Sequence, residues 1–124
     1  MKLRLNENSV RLRFRRSDVL SLSNHGSVSQ TLRFPGGQPL TFRAVAASVP
    51  QPQVIFDGGT VEVRVPAEQA RAWYTAETVG IYGRHEGVEV LLEKDFRRSS
   101  VPSPDDEDRY PNPRREALDS RARL

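Results

Sequence analysis

The first fourteen residues constrain the fold more than any other stretch. Leu3 and Leu5 alternate with Lys2 and Arg4, and Val10, Leu12 and Phe14 alternate with Arg11, Arg13 and Arg15. A period of two in both runs is the pattern of strands with one buried face. Asn6-Glu7-Asn8-Ser9 between them is turn chemistry. The expectation is a hairpin, apolar on one face and cationic on the other. If Leu5 opposes Val10, then Arg4 opposes Arg11 and Lys2 opposes Arg13. Like charges set directly opposite are unfavourable, by about the 0.2–1 kcal/mol that a cross-strand pair is worth. Relief must come from carboxylates of a neighbouring strand, from water or from a bound anion.

The rest of the chain alternates in the same way. Residues 17–23 read as a short helix, with Ser17 as N-cap, Asp18 at the positive end of the dipole and Gly26 to end it. Strands are expected at 28–34 and 40–46, with Pro35-Gly36-Gly37-Gln38-Pro39 as the turn. After Val49-Pro50-Gln51-Pro52 comes a second hairpin, Val54-Ile55-Phe56, then Asp57-Gly58-Gly59, then Thr60 to Val65. Residues 66–74 read as a helix with Pro66 in its first turn and Trp73 in the core. Residues 78–82 and 88–93 form a last strand pair joined through 83–87. A shift of 51 positions lays Leu3 on Val54, Leu5 on Phe56, Val10 on Val61, Leu12 on Val63, Leu22 on Trp73 and Val28 on Val79.

The fold class expected is α+β: a curved or closed antiparallel sheet of about eight short strands from two ββαββ pseudo-repeats, with two short helices packed outside. A barrel of eight strands can hold side chains or one small ligand. The domain expected is a single duplicated one over 1–98, with halves 1–47 and 52–98. Residues 99–124, with four prolines and the run Asp105-Asp106-Glu107-Asp108, are expected to form an extended, partly disordered C-terminal arm. Tyr110-Pro111-Asn112-Pro113 is the part of that arm expected to dock back on the body.

A chain of 124 residues without a single cysteine holds no disulfide, no thiolate metal site and no cysteine nucleophile. No apolar run approaches a membrane span, and the charged start is unlike a secretory leader, so the location expected is cytoplasmic. Residues 1–47 carry eight Lys/Arg against two acids, whereas 48–98 carry six against eight. Such asymmetry marks either a polyanionic partner or two halves that pair with each other.

The candidate anion-binding residues are Arg4, Arg11, Arg13, Arg33 and Arg64, because guanidinium forks bind phosphate oxygens bidentately. The plain alternative is a solvated sheet face whose arginines pair with Glu62, Glu89 and Glu93. Those three carboxylates are also the only candidates to hold a divalent metal, with ion pairing the plainer role. His25 and His85 read as exposed turn residues. Neither Pro35-Gly36-Gly37 nor Asp57-Gly58-Gly59 is a phosphate-binding loop, since strands rather than helices follow them. The basic strands are not interleaved with aromatics, which speaks against nucleic acid.

Several of these stretches resemble a small bacterial family of unknown function. They are the start Met1 to Leu5 with Asn8-Ser9-Val10-Arg11-Leu12-Arg13, Val79-Gly80, Glu93-Lys94-Asp95-Phe96, and the acidic run ending in Tyr110-Pro111-Asn112-Pro113. Members often carry a cysteine after the Glu-Lys-Asp-Phe stretch, where this chain has Arg97-Arg98-Ser99-Ser100. The duplicated element order is also similar to that of triphosphate-tunnel (CYTH) barrels, which act on phosphorylated substrates with divalent metal. Their Glu-x-Glu-x-Lys strand has no counterpart, since Glu89-Val90-Leu91-Leu92-Glu93-Lys94 is spaced differently. The function expected is binding of a phosphorylated or other anionic ligand on an Arg-rich sheet face, without a cofactor. The alternatives are a module self-associating through its basic and acidic halves, as a homo-oligomer, and a metal-dependent triphosphate hydrolase of the tunnel type.

Overall fold

A computed structural model describes residues 1–96, 108, 110 and 111. Eight strands and two helices follow one another as β1 (Lys2–Asn6), β2 (Ser9–Phe14), α1 (Arg16–His25), β3 (Ser27–Arg33), β4 (Pro39–Ala47), β5 (Gln53–Asp57), β6 (Thr60–Pro66), α2 (Ala67–Trp73), β7 (Gly80–His85) and β8 (Val88–Lys94). The fold is α+β, and the opening hairpin closes in the expected register, with Leu5 opposite Val10, Arg4 opposite Arg11 and Lys2 opposite Arg13.

The closed antiparallel barrel is not what forms. The strands make two separate four-stranded sheets, one in the order β1-β2-β8-β7 (sheet A) and one in the order β3-β4-β6-β5 (sheet B). Both are mixed, because the central pairs β2–β8 and β4–β6 run parallel. Alternation reveals that a strand has one buried face, but it carries no information about which hairpin lies beside which, or in what direction. Each sheet joins one hairpin from residues 1–47 to one from residues 53–94. A lone two-stranded hairpin is marginal in water, so each needs its distant partner.

The shift of 51 holds through the two leading hairpins, where Phe56 opposes Val61 as Leu5 opposes Val10. Past the helices the register is offset by one residue. Ser29 opposes Arg43 in sheet B, which 51 positions on would set Gly80 against Lys94, whereas Gly80 opposes Glu93 in sheet A. The last hairpin is also longer than its sequence suggests. Gly83, Arg84 and His85 belong to β7, and the turn is Glu86-Gly87 alone, both with positive φ (48° and 85°). A two-residue turn with that backbone matches the twist of the strands it joins.

The apolar faces of both sheets and the inner sides of both helices share one core. Phe14 at the end of β2 meets Trp73 of α2 edge to face, with ring centroids 5.1 Å apart. Such a contact adds about 0.5–1.5 kcal/mol to the burial of the rings themselves. The Trp73 indole N–H donates to the Thr78 carbonyl at 3.0 Å, so the ring is buried without an orphaned donor. Leu22 of α1 is fully buried as well.

The N-cap of helix α1 lies two residues earlier than expected, at Arg15 rather than Ser17. Asp18 in its first turn accepts the Arg15 backbone N–H at 2.9 Å and the Met1 amino group at 2.8 Å. The Ser17 backbone N–H, which no residue of the helix can satisfy, donates instead to Asp108 at 2.9 Å, and the Ser17 hydroxyl donates to the same carboxylate at 2.6 Å. Gly26 ends the helix with φ of 79°, as expected. Tyr110 also docks on the body: its backbone N–H donates to the Asp95 carbonyl at 2.8 Å, and its ring lies 5.9 Å from Phe96. The rest of the expected arm lies outside the described residues.

The sheets meet where edge β7 of one approaches edge β5 of the other. A Cβ placed on Gly83 would lie 2.8 Å from the buried ring of Pro52. Gly83→Ala is therefore expected to cost about 1–3 kcal/mol in urea unfolding, since a rigid proline ring cannot yield as a flexible side chain would. A second expectation concerns Asp108. Burial raises its pKa, but the Ser17 hydroxyl, the Ser17 N–H and Arg15 outweigh it and hold the carboxyl below its usual value. A carboxyl whose folded pKa is depressed stabilises the fold above its unfolded pKa and loses that stabilisation as pH falls through the folded one. Asp108→Ala should cost about 1 kcal/mol at pH 7, as loss of a helix-capping oxygen does. The difference from wild type should shrink below about pH 4.

Candidate functional site

The outer face of sheet A carries three cross-strand rows. Lys2, Arg13, Glu93 and Gly80 form one; Arg4, Arg11, Leu91 and Tyr82 the next; Asn6, Ser9, Glu89 and Arg84 the third. Within them Arg11 pairs with Glu93 at 2.9 Å, Arg84 with Glu89 at 2.8 Å, and Lys2 reaches Asp95 at 3.2 Å. The Tyr82 hydroxyl donates to the other oxygen of Glu93 at 3.1 Å. Burial, reinforced by that carboxylate, pushes the Tyr82 pKa up. Its ring lies so close over Gly80 that a Cβ there would strike it.

Two cations of this face stand apart. Among the described residues, neither Arg4 nor Arg13 forms an ion pair. They are diagonal neighbours on the antiparallel pair β1–β2, a spacing of about 7–8 Å. That is within reach of two long guanidinium side chains converging on one anion. Arg13 is partly buried and Arg4 exposed.

Sheet B carries a different arrangement. Arg43, Glu62 and Ile55 stand in one row, and Arg64 lies in the row beside it. Glu62 accepts from Arg43 at 2.6 Å and from Arg64 at 3.0 Å. The hydrogen bonds from Arg64 and Arg43, in that order, hold its carboxyl below the usual range. A hollow of about 190 Å³ opens here, lined by Arg43, Ile55, Asp57, Thr60, Glu62 and Arg64. Arg43 escaped the list of candidate site residues because its neighbours Thr41 and Val45 give β4 little charge pattern, and only the parallel pairing to β6 brings Glu62 beside it.

The five candidate arginines are therefore not one cluster. Arg4, Arg11 and Arg13 share the outer face of sheet A, whereas Arg33 and Arg64 belong to sheet B. Arg33 pairs with Pro39 at one end of that sheet, and Arg64 with Val45, six residues further along β4. That separates them by about 20 Å. The three candidate metal-binding glutamates are divided likewise, Glu62 on one sheet and Glu89 and Glu93 on the other, each engaged by arginine. Among the described residues no group of three His, Asp or Glu side chains could hold a metal ion. His25 is exposed at the end of α1. His85 is not a turn residue but the end of β7, where its Nδ1 accepts the Val54 N–H at 3.2 Å.

Glu93-Lys94-Asp95-Phe96 and Tyr110 come together in space. Lys94 is buried, donates to the Ala76 carbonyl at 2.7 Å and lies 4.9 Å from the centre of the Tyr110 ring. Burial lowers its pKa, and burial pushes the Tyr110 hydroxyl up to about 12. An ammonium over an aromatic face is attracted by the ring's electron density, more so when water is excluded. No helix is long and apolar enough to cross a membrane among the described residues.

Comparison with known proteins adds one positive finding. No curated protein matches the chain, and no solved structure does. Residues 1–114 match the model of a family described as a family of unknown function, DUF7009. The match spans the whole described body, both sheets and the returning Asp108 and Tyr110, and the chain belongs to that family.

Proposed function

We propose that this protein binds a phosphorylated or other anionic ligand on the outer face of sheet A, with Arg4 and Arg13 as the groups that grip it. The observation that carries the reading is the pair of guanidinium groups that, among the described residues, meet no carboxylate on a face where the neighbouring cations are paired. Exposed ion pairs are individually worth little, so the paired arginines need no ligand to explain them. The unpaired ones repel their neighbours Arg11 and Lys2 across the strand pair, and an oxyanion between them removes that cost. Arg11, held by Glu93, flanks the site. Arg33 and Arg64 lie too far away to join it and belong to a second basic surface on sheet B.

In this reading the body is a duplicated domain in the cytoplasm whose two ββαββ halves exchanged hairpins. The repeated element order and the shared register of the leading hairpins support it. A module self-associating through its basic and acidic halves is less well supported, because acids of the second half already pair with cations of the first within one chain. A tunnel-type hydrolase is third, since Glu62 does not meet Glu89 and Glu93.

The test is a thermal shift with pyrophosphate, tripolyphosphate and ATP at 10 mM in low salt. For a dissociation constant near 0.1 mM, mass action gives about 2.7 kcal/mol. For a chain of this size that corresponds to a rise of roughly 10 °C. The rise should shrink at high salt, vanish in Arg4→Ala/Arg13→Ala, and persist in Arg71→Ala on the exposed side of α2. No rise with any of the three anions ends the proposal.

A further inference from the structure

Four strands form the edges of the two sheets, and three are protected. β5 and β7 lie against each other, through Pro52 on Gly83 and through the Val54 N–H on His85. β1 is short and carries Lys2 and Arg4, the kind of charge that discourages another strand from adding to an edge. β3 has a weaker guard, a single arginine at its last position. It is seven residues long, Ser-Val-Ser-Gln-Thr-Leu-Arg, without proline, lysine or acid, and every residue but Val28 is exposed.

The hydrogen-bond phase of β3 follows from its ladder. The Ala46 N–H donates to the Gly26 carbonyl at 2.8 Å, in line with the register that sets Ser27 opposite Val45. Hydrogen-bonded and non-hydrogen-bonded pairs alternate in an antiparallel ladder. Val28, Gln30 and Leu32 therefore turn their main-chain groups toward β4. Ser27, Ser29, Thr31 and Arg33 turn theirs outward. Pro39, which has no N–H, stands opposite Arg33, where none is needed.

We infer that β3 is a homodimer edge: it pairs antiparallel with β3 of a second copy about a two-fold axis at Gln30. That register puts Ser29 opposite Thr31 of the second copy and Ser27 opposite Arg33, so every outward N–H and C=O finds a partner. It also sets Val28 against Leu32 at a non-hydrogen-bonded pair, where side chains approach most closely. Leu32 is 51 % exposed and would be covered by Val28 of the second copy, and Phe34, 49 % exposed, lies just past the paired span. A slip of one residue, with the axis between two residues, would turn the outward groups of one strand against the inward groups of the other, and an axis on Ser29 or Thr31 keeps the phase but pairs fewer residues and takes Val28 away from Leu32. The sequence is thus self-complementary in main-chain phase and in its apolar pair. A seven-residue edge with two large apolar side chains falls short of the roughly 800 Å² per partner of a standard interface, so the dimer is weak and concentration-dependent. Pairing also joins the two B sheets into one eight-stranded surface, on which Arg33 stands in the row of Arg64 from the second copy. The inference is independent of the anion site on sheet A.

The experiment is sedimentation equilibrium of the full chain from 10 µM to 1 mM, together with two variants. Wild type should pass from 14.0 kDa to twice that mass over this range. Ser29→Pro removes an outward N–H while leaving the β3–β4 ladder intact, and should stay monomeric with an unchanged melting temperature. Gln30→Cys supplies the chain's single thiol on the two-fold axis, and mild oxidation should cross-link it into dimer, whereas Gln51→Cys should not cross-link. A monomer at 1 mM overturns the inference. So does a dimer that survives Ser29→Pro, or one in which Gln30→Cys fails to cross-link; either outcome means another surface carries the association.

Discussion

The parallel pairing of β2 with β8, and of β4 with β6, is the contact on which the remaining architecture depends. Both ladders cross from one half of the chain to the other. Without them the molecule is four hairpins and two short helices, none large enough to bury its apolar face. With them, the inner faces of the sheets and the helices α1 and α2 enclose one core around Phe14, Leu22, Trp73 and Leu92. The segment between β2 and β8 spans most of the described chain, whereas only residues 48–59, with β5 among them, lie between β4 and β6. Long-range parallel pairing carries a loop-closure cost that is recovered only when the core forms, so the sheets and the core must form together.

The same exchange of hairpins governs the electrostatics. The first half of the chain is basic and the middle acidic, and the topology sets β2 beside β8 and β4 beside β6. Arg11 therefore finds Glu93, Lys2 finds Asp95, and Arg43 finds Glu62. Part of the charge asymmetry along the sequence is thereby consumed inside one molecule. Among the described residues Arg4, Arg13, Arg16 and Arg33 of the first half form no ion pair, and the first two, on sheet A, are what the anion proposal rests on.

The returning chain at Asp108 and Tyr110 ties three regions that are far apart in sequence. Asp108 satisfies the start of α1 and lies 3.5 Å from Arg15, while Tyr110 covers Lys94 and Phe96 at the end of β8. Lys94 has a carbonyl and an aromatic face in place of a carboxylate, which lets a single buried ammonium join α2, β8 and the returning segment. Desolvation works against its charge, so the site depends on those contacts remaining closed.

Read alone, the sequence established the order of strands and helices, the face of the opening hairpin that turns inward, and that Arg4 stands opposite Arg11, though it cut the last hairpin short and misplaced the start of α1. Those properties follow from period and turn chemistry, which act over a few residues. Tyr110 was legible as a docked residue because an aromatic among acids and prolines has little reason to be solvated. Tertiary structure alone decided that there are two mixed sheets rather than one barrel. It also decided that Arg33 and Arg64 lie apart, that Arg43 joins Glu62, that Asp108 and not Ser17 completes the start of α1, and which cations go unmatched. Each of those is a matter of which distant strand lies alongside which and in what direction, and a pattern with a period of two is the same for every such choice.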